Sequence, residues 1–131
     1  MTKQLTLLLL GASLCVLAAA PAFAAKPGQV LTGVASYYHD SLHGNKTASG
    51  KIYNKNKLSA AHKTLPLGTR VRVTETKSGR SVELVVNDRG PFVKGRIIDV
   101  SRRAASELGM LRKGVTKVKV EVISLPGRRG A

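Results

Sequence analysis

The sequence predicts a mainly β domain: about six short strands and one helix, arranged as a small closed barrel. Three observations carry this. Two alternating runs around Glu75–Arg80 form a hairpin, a third alternating run closes the domain at Val115–Ile123, and only Ser101–Leu108 has the caps and apolar face of a helix. Too few helices separate the strands for a parallel α/β sheet, and barrel closure hides the edges of short strands.

The chain opens with the three parts of a secretory signal peptide. Lys3 is the positive n-region, Leu5–Ala20 the apolar h-region, and Ala22-Phe23-Ala24 a small-residue cleavage site, so residues 1–24 are expected to be removed. The apolar run stops at Pro21, short of the about 20 residues that span a bilayer. Cys15, the one cysteine, follows Leu14 inside this run, so lipid attachment is not expected. The product would contain no disulfide, no thiol nucleophile and no stable membrane anchor, and would be periplasmic or secreted.

Residues 25–30 read as a linker, residues 31–124 as the barrel and residues 125–131 as a flexible tail. Val30–Tyr38 is the first strand, with Val34, Ser36 and Tyr38 expected on one side. The Gly-, Ser- and Asn-rich stretch His39–Gly50 reads as a long loop, and Lys57–His62 as a second short apolar run ahead of a turn at Leu65–Gly68. Arg70–Thr74 and Ser81–Val86 are the hairpin strands, with Gly79 available for the left-handed position. Asn87–Pro91 reads as a tight polar turn, and Arg96–Val100 as a strand. In the helix Ser101–Leu108, Asp99 or Ser101 can cap the start, Ala104, Ala105 and Leu108 share one face, and Gly109 can end it. In the last strand Val118, Val120 and Val122 point inward, while Lys117, Lys119 and Glu121 point outward.

Lys and Arg number 22 against 7 Asp and Glu, a formal charge of +15, and loss of the signal removes only Lys3. Such a charge selects anionic partners. Export makes an anionic envelope polymer such as peptidoglycan a better partner than nucleic acid, and a monomer is expected. The chain has no internal repeat, no phosphate-binding glycine loop and no cysteine metal site. His39 and His43 are spaced as a helical metal pair, but their neighbours are loop formers, so no metal or other cofactor is expected.

Asp88, at the mouth of an apolar strand, can be half-buried and suits a general acid; holding the turn through its own backbone is the alternative. His62 ends an apolar run and can position a sugar, tune an acid or simply fill a structural place. Tyr37, Tyr38, Tyr53 and Phe92 are aromatic faces suited either to sugar rings or to the core.

Taken together, four blocks resemble the rare lipoprotein A (RlpA)-like family of peptidoglycan lytic transglycosylases: Gly33–Tyr38, His43–Gly50, Leu58–Pro66 and Val86–Phe92. Arg96–Ser101 and the following helix match too, so the resemblance runs from Leu31 to about Ile123. It implies a six-stranded double-psi β-barrel with a glycan groove, and cleavage that leaves 1,6-anhydro-muramic ends. The family's His and Asp fall on His62 and Asp88, which become the expected catalytic residues. Tyr38, Thr47, Lys51, Tyr53, Asn87 and Arg89 are expected along the groove. Two positions depart from the family pattern: its usual Glu is Lys51, and an Asp three residues later is Asn54. A hydrolase of ordinary type uses two carboxylates, whereas a lytic transglycosylase can use one, because the sugar's own 6-hydroxyl is the nucleophile. The departures admit an alternative: a non-catalytic, expansin-like module that binds peptidoglycan.

Overall fold

The computed structural model describes residues 24–127. The expected signal peptide, Ala24 apart, and residues 128–131 of the expected tail lie outside the described residues. Six strands, β1 (Val30–Tyr37), β2 (Ser59–His62), β3 (Arg70–Glu75), β4 (Ser81–Asp88), β5 (Arg96–Val100) and β6 (Thr116–Ser124), close into one barrel in the order β1-β5-β2-β4-β3-β6. The pairs β1/β5 and β2/β4 are parallel and the other four are antiparallel. Among the described residues one α-helix, α1 (Arg102–Glu107), follows β5, and Asp40–Leu42 forms a 3-10 turn within the expected long loop.

The alternating runs explain the core. Val71 and Val73 of β3, Leu84 and Val86 of β4, and Val118, Val120 and Val122 of β6 are all buried, and Ile98 and Val100 of β5 join them. Each such side chain contributes about 1.5–3 kcal/mol of apolar transfer, an upper figure because unfolded chains are partly compact. The expected β3–β4 hairpin forms, with Arg70 opposite Val85 and Thr74 opposite Ser81, and Gly79 takes φ 80° in its loop. The Ser101 side chain caps α1 by accepting from the Ala104 amide, and Gly109, at φ 70°, follows its end. Ala104, Ala105 and Leu108 then fill the same core.

Three expectations need correction. The tight turn expected at Asn87–Pro91 begins later, because β4 continues through Asp88, where parallel pairing with Ala61 of β2 keeps the chain extended. Asp99 does not cap α1; it lies in β5, paired with Ala61 and Ser36, and Ser101 does the capping. The expected alternation in β1 breaks where its register with β5 shifts between Val34 and Ala35. Ala35 thereby enters the main core, Val34 is only half-buried, and Tyr38 joins a separate small cluster. Among the described residues no helix is long and apolar enough to cross a membrane.

Candidate active site

The extension of β4 decides where Asp88 sits. Val86 is fully buried, and two residues on the strand delivers Asp88, half-buried, beside β2. Three donors fix its carboxylate. The Ala48 amide donates to Oδ1 at 2.8 Å, the Arg89 amide donates to Oδ1 at 2.9 Å, and the Tyr38 hydroxyl donates to Oδ2. A carboxylate oxygen has about two acceptor positions. Among the described residues, both on Oδ1 are therefore used, and one remains on Oδ2.

The loop that supplies Ala48 is ordered by its own small turn. Lys46 bridges Ile52, the Thr47 amide and hydroxyl both donate to the Lys51 carbonyl, at 2.8 and 2.7 Å, and Gly50 takes φ 91°. The Ser49 amide donates to the Asn87 carbonyl at 3.2 Å, which lays the turn along the end of β4. Thr47 is itself buried.

Tyr38 is held from behind. Its ring stacks on Tyr53 at 4.2 Å between centroids, 16° from parallel, and with Ala61 the two form a buried cluster. The Tyr53 hydroxyl accepts from the Arg102 amide at 3.1 Å, tying the cluster to the first turn of α1. The His43 ring meets the Tyr53 ring edge-on. Burial holds the Tyr38 phenol far above the usual tyrosine range, reinforced by its hydrogen bond to Asp88 and by the charges of Asp88 and Asp99. It stays protonated and donates. Burial also raises the Tyr53 phenol. Both rings lie in the interior, 8 % and 2 % exposed, whereas Phe92, four residues beyond Asp88, is 80 % exposed.

His62, at the end of β2, is buried, and burial first, then the cations of Arg89 and Lys63, push its pKa down to about 4. Its Nδ1 accepts from the Thr64 and Leu65 amides, each at 3.1 Å, so near neutrality the ring hydrogen sits on Nε2. His62 and Asp88 are not hydrogen-bonded to each other. Arg89 links them: its amide serves Asp88, while Nη1 donates to the His62 carbonyl at 3.1 Å and the Leu65 carbonyl at 2.7 Å.

The Lys51 side chain is exposed and lines a shallow cleft of about 270 Å³ with Ser49, Leu67, Gly68, Val85 and Asn87. Among the described residues no ion pair involves Lys51 or Asp88. The Asn54 side chain accepts from the Asn56 amide at 2.8 Å. The sequence reading missed Asp99, which accepts from the Ser36 hydroxyl and acts electrostatically on Tyr38. Its signal was an acid set between the inward-facing Ile98 and Val100 of a strand.

A family model described as "Lytic transglycolase" matches residues 30–120. The chain belongs to this family. It is 56 % identical over 98 residues to an endolytic peptidoglycan transglycosylase RlpA of Pasteurella multocida, covering 75 % of this chain and 33 % of that one. It is 50 % identical over 96 residues to the protein of the same name from Campylobacter jejuni, covering 73 % and 35 %. The chain thus spans about a third of the length of these curated relatives. Among solved structures the Streptomyces papain inhibitor aligns with a TM-score of 0.63 at 25 % identity, over 77 % of this chain and all of that one. An expansin of Clavibacter michiganensis aligns with a TM-score of 0.58 at 22 % identity, over 76 % and 53 %, a likeness of fold. The barrel of this lytic transglycolase-family chain is the double-psi β-barrel that its sequence resemblance implied.

Proposed function

We propose that this domain is a peptidoglycan lytic transglycosylase of the cell envelope in which Asp88 is the single acid and base. The observation that carries the reading is the fixed Asp88 carboxylate, with one acceptor position left on Oδ2 beside the Tyr38 hydroxyl. A proton carried there passes to the glycosidic oxygen as the C1–O bond breaks. The 6-hydroxyl of the same muramic residue then attacks C1, and its proton returns to Oδ2. The product is a 1,6-anhydro ring, and no water is consumed. Tyr38 aims the carboxylate, and Tyr53 supports Tyr38 from beneath. His62 is neutral near pH 7, so it acts as an Nε2–H donor that orients the sugar, not as the acid. Thr47, Asn87 and Arg89 shape the wall around Asp88, and Lys51 lines the neighbouring cleft. Phe92 supplies the exposed ring for stacking on a sugar. The names of the relatives support both the substrate and the envelope location.

A second reading rests on the resemblance: Lys51 falls where the family pattern usually has a Glu, and Asn54, in place of an Asp, has its side chain engaged with its own loop. A barrel that binds glycan strands without cleaving them would tolerate both. Purified sacculi incubated with the protein and analysed by mass spectrometry separate the two. The catalytic reading expects anhydromuropeptides from the wild type and a loss of about 10²–10⁴-fold in Asp88→Asn, with sacculus binding kept. Undiminished product from Asp88→Asn ends the assignment of Asp88, and absence of product from the wild type favours the binding module.

A further inference from the structure

β4 has a second end. Its seven residue steps from Asp88 back to Ser81 cover roughly 20 Å, and there the hairpin loop faces the turn after α1 across a cleft of about 400 Å³. Lys77, Ser78 and Arg80 line it from the hairpin, Gly109 and Lys113 from the other side, and Glu75 from below.

The groups in this cleft are arranged by the fold. Glu75 is buried, 2 % exposed, yet it accepts from the Ser78 amide at 2.9 Å, the Ser78 hydroxyl at 2.6 Å and the Thr116 hydroxyl at 2.6 Å. Those bonds, the Ser78 hydroxyl first, hold its pKa down to about 2, so it is ionised at any physiological pH. It anchors the Lys113 ammonium at 3.2 Å. Arg80 is different. It is exposed, and among the described residues its guanidinium has no hydrogen-bonding or acidic partner; it rests against Gly109, where a Cβ would lie 2.7 Å from Nη1. The absent side chain at Gly109 is what lets the planar cation rest against the turn.

We propose that this cleft binds a phosphate group, held by the Arg80 guanidinium together with the Lys113 and Lys77 ammonium groups. Three cations and one carboxylate line the cleft, an excess of two positive charges. A phosphate monoester carries about −1.5 to −2 at pH 7 and matches that excess; a carboxylate, at −1, does not. The guanidinium fork suits two phosphate oxygens at once, and the ammonium groups supply point charges. The site lies apart from Asp88 and stands whether or not Asp88 is catalytic.

The test is a titration of the isotopically labelled protein by NMR at constant ionic strength, with inorganic phosphate, glycerol 1-phosphate and acetate as probes. Saturable shifts are expected at residues 77–80 and 108–113 with phosphate and not with acetate. Response to glycerol 1-phosphate as well assigns the site to a phosphate carried on a larger molecule; response to inorganic phosphate alone assigns it to the free ion. Arg80→Gln should weaken binding by about tenfold or more, without lowering the unfolding temperature measured in the absence of phosphate, since the guanidinium has no partner to lose. Acetate titrating like phosphate, shifts spread over all the exposed lysines, or unchanged affinity in Arg80→Gln would each overturn the proposal.

Discussion

Acidification from pH 7 to pH 4 should cost this barrel about 3 kcal/mol of folding stability through His62 alone. The imidazole titrates near 6.5 in an unfolded chain and near 4 in the barrel, where burial, then Arg89 and Lys63, oppose its charge. Each pH unit between those values is worth about 1.4 kcal/mol. The folded pKa is depressed, so the unfolded state binds the extra proton. The contribution is therefore complete above pH 6.5, falls as pH drops toward 4 and is flat below that. Glu75, lowered from 4.5 to about 2, adds a loss that begins near pH 4.5 and continues toward 2, in wild type and variant alike. The control is His62→Asn, whose side-chain oxygen can stand where Nδ1 stands and accept from the Thr64 and Leu65 amides. Urea unfolding of wild type and variant at several pH values between 7.5 and 4 measures the difference in slope. A variant that loses as much stability as the wild type, or an NMR titration placing His62 near 6.5, would refute the reasoning.

Other substitutions probe the rest of the site and the frame. Tyr38→Phe keeps the stacked ring but removes a hydrogen bond to a carboxylate, a contact worth about 1.5–3 kcal/mol; anhydromuropeptide release should fall about tenfold or more, while a sacculus pull-down stays unchanged. Gly33→Ala drives a Cβ to 2.6 Å from Cγ2 of Ile97 and should destabilise by about 1–3 kcal/mol, read as a lower urea midpoint with an unaltered m-value.

The strands and the hairpin were legible because their cause is local. Alternation in Arg70–Thr74, Ser81–Val86 and Val115–Ile123 follows from burying one face, and Gly79 marks the position of the β3–β4 hairpin loop that takes φ above zero. The helix was legible through Ser101 and Gly109 for the same reason. The resemblance pointed to Asp88 and His62 as a pair, but not to how they are connected. Through Arg89, Asp88 is tied to the carbonyls of His62 and Leu65, which come from another strand and its loop.

Amino-acid order by itself determined that the chain is mainly β and strongly basic, that one helix interrupts the strands, and that an acid follows an apolar strand at Asp88. It did not determine the closure order β1-β5-β2-β4-β3-β6, because the parallel pairs β1/β5 and β2/β4 join segments distant in sequence, and no local period encodes their register. That register carries β4 on through Asp88, shifts β1 between Val34 and Ala35, and leaves Asp99 in a strand beside Ser36. Tertiary structure likewise turned Tyr38 from an aromatic of two possible uses into a buried hydrogen-bond donor, since only the packed barrel brings Tyr53, Ala61 and Asp88 around one phenol and removes the water that would otherwise solvate it.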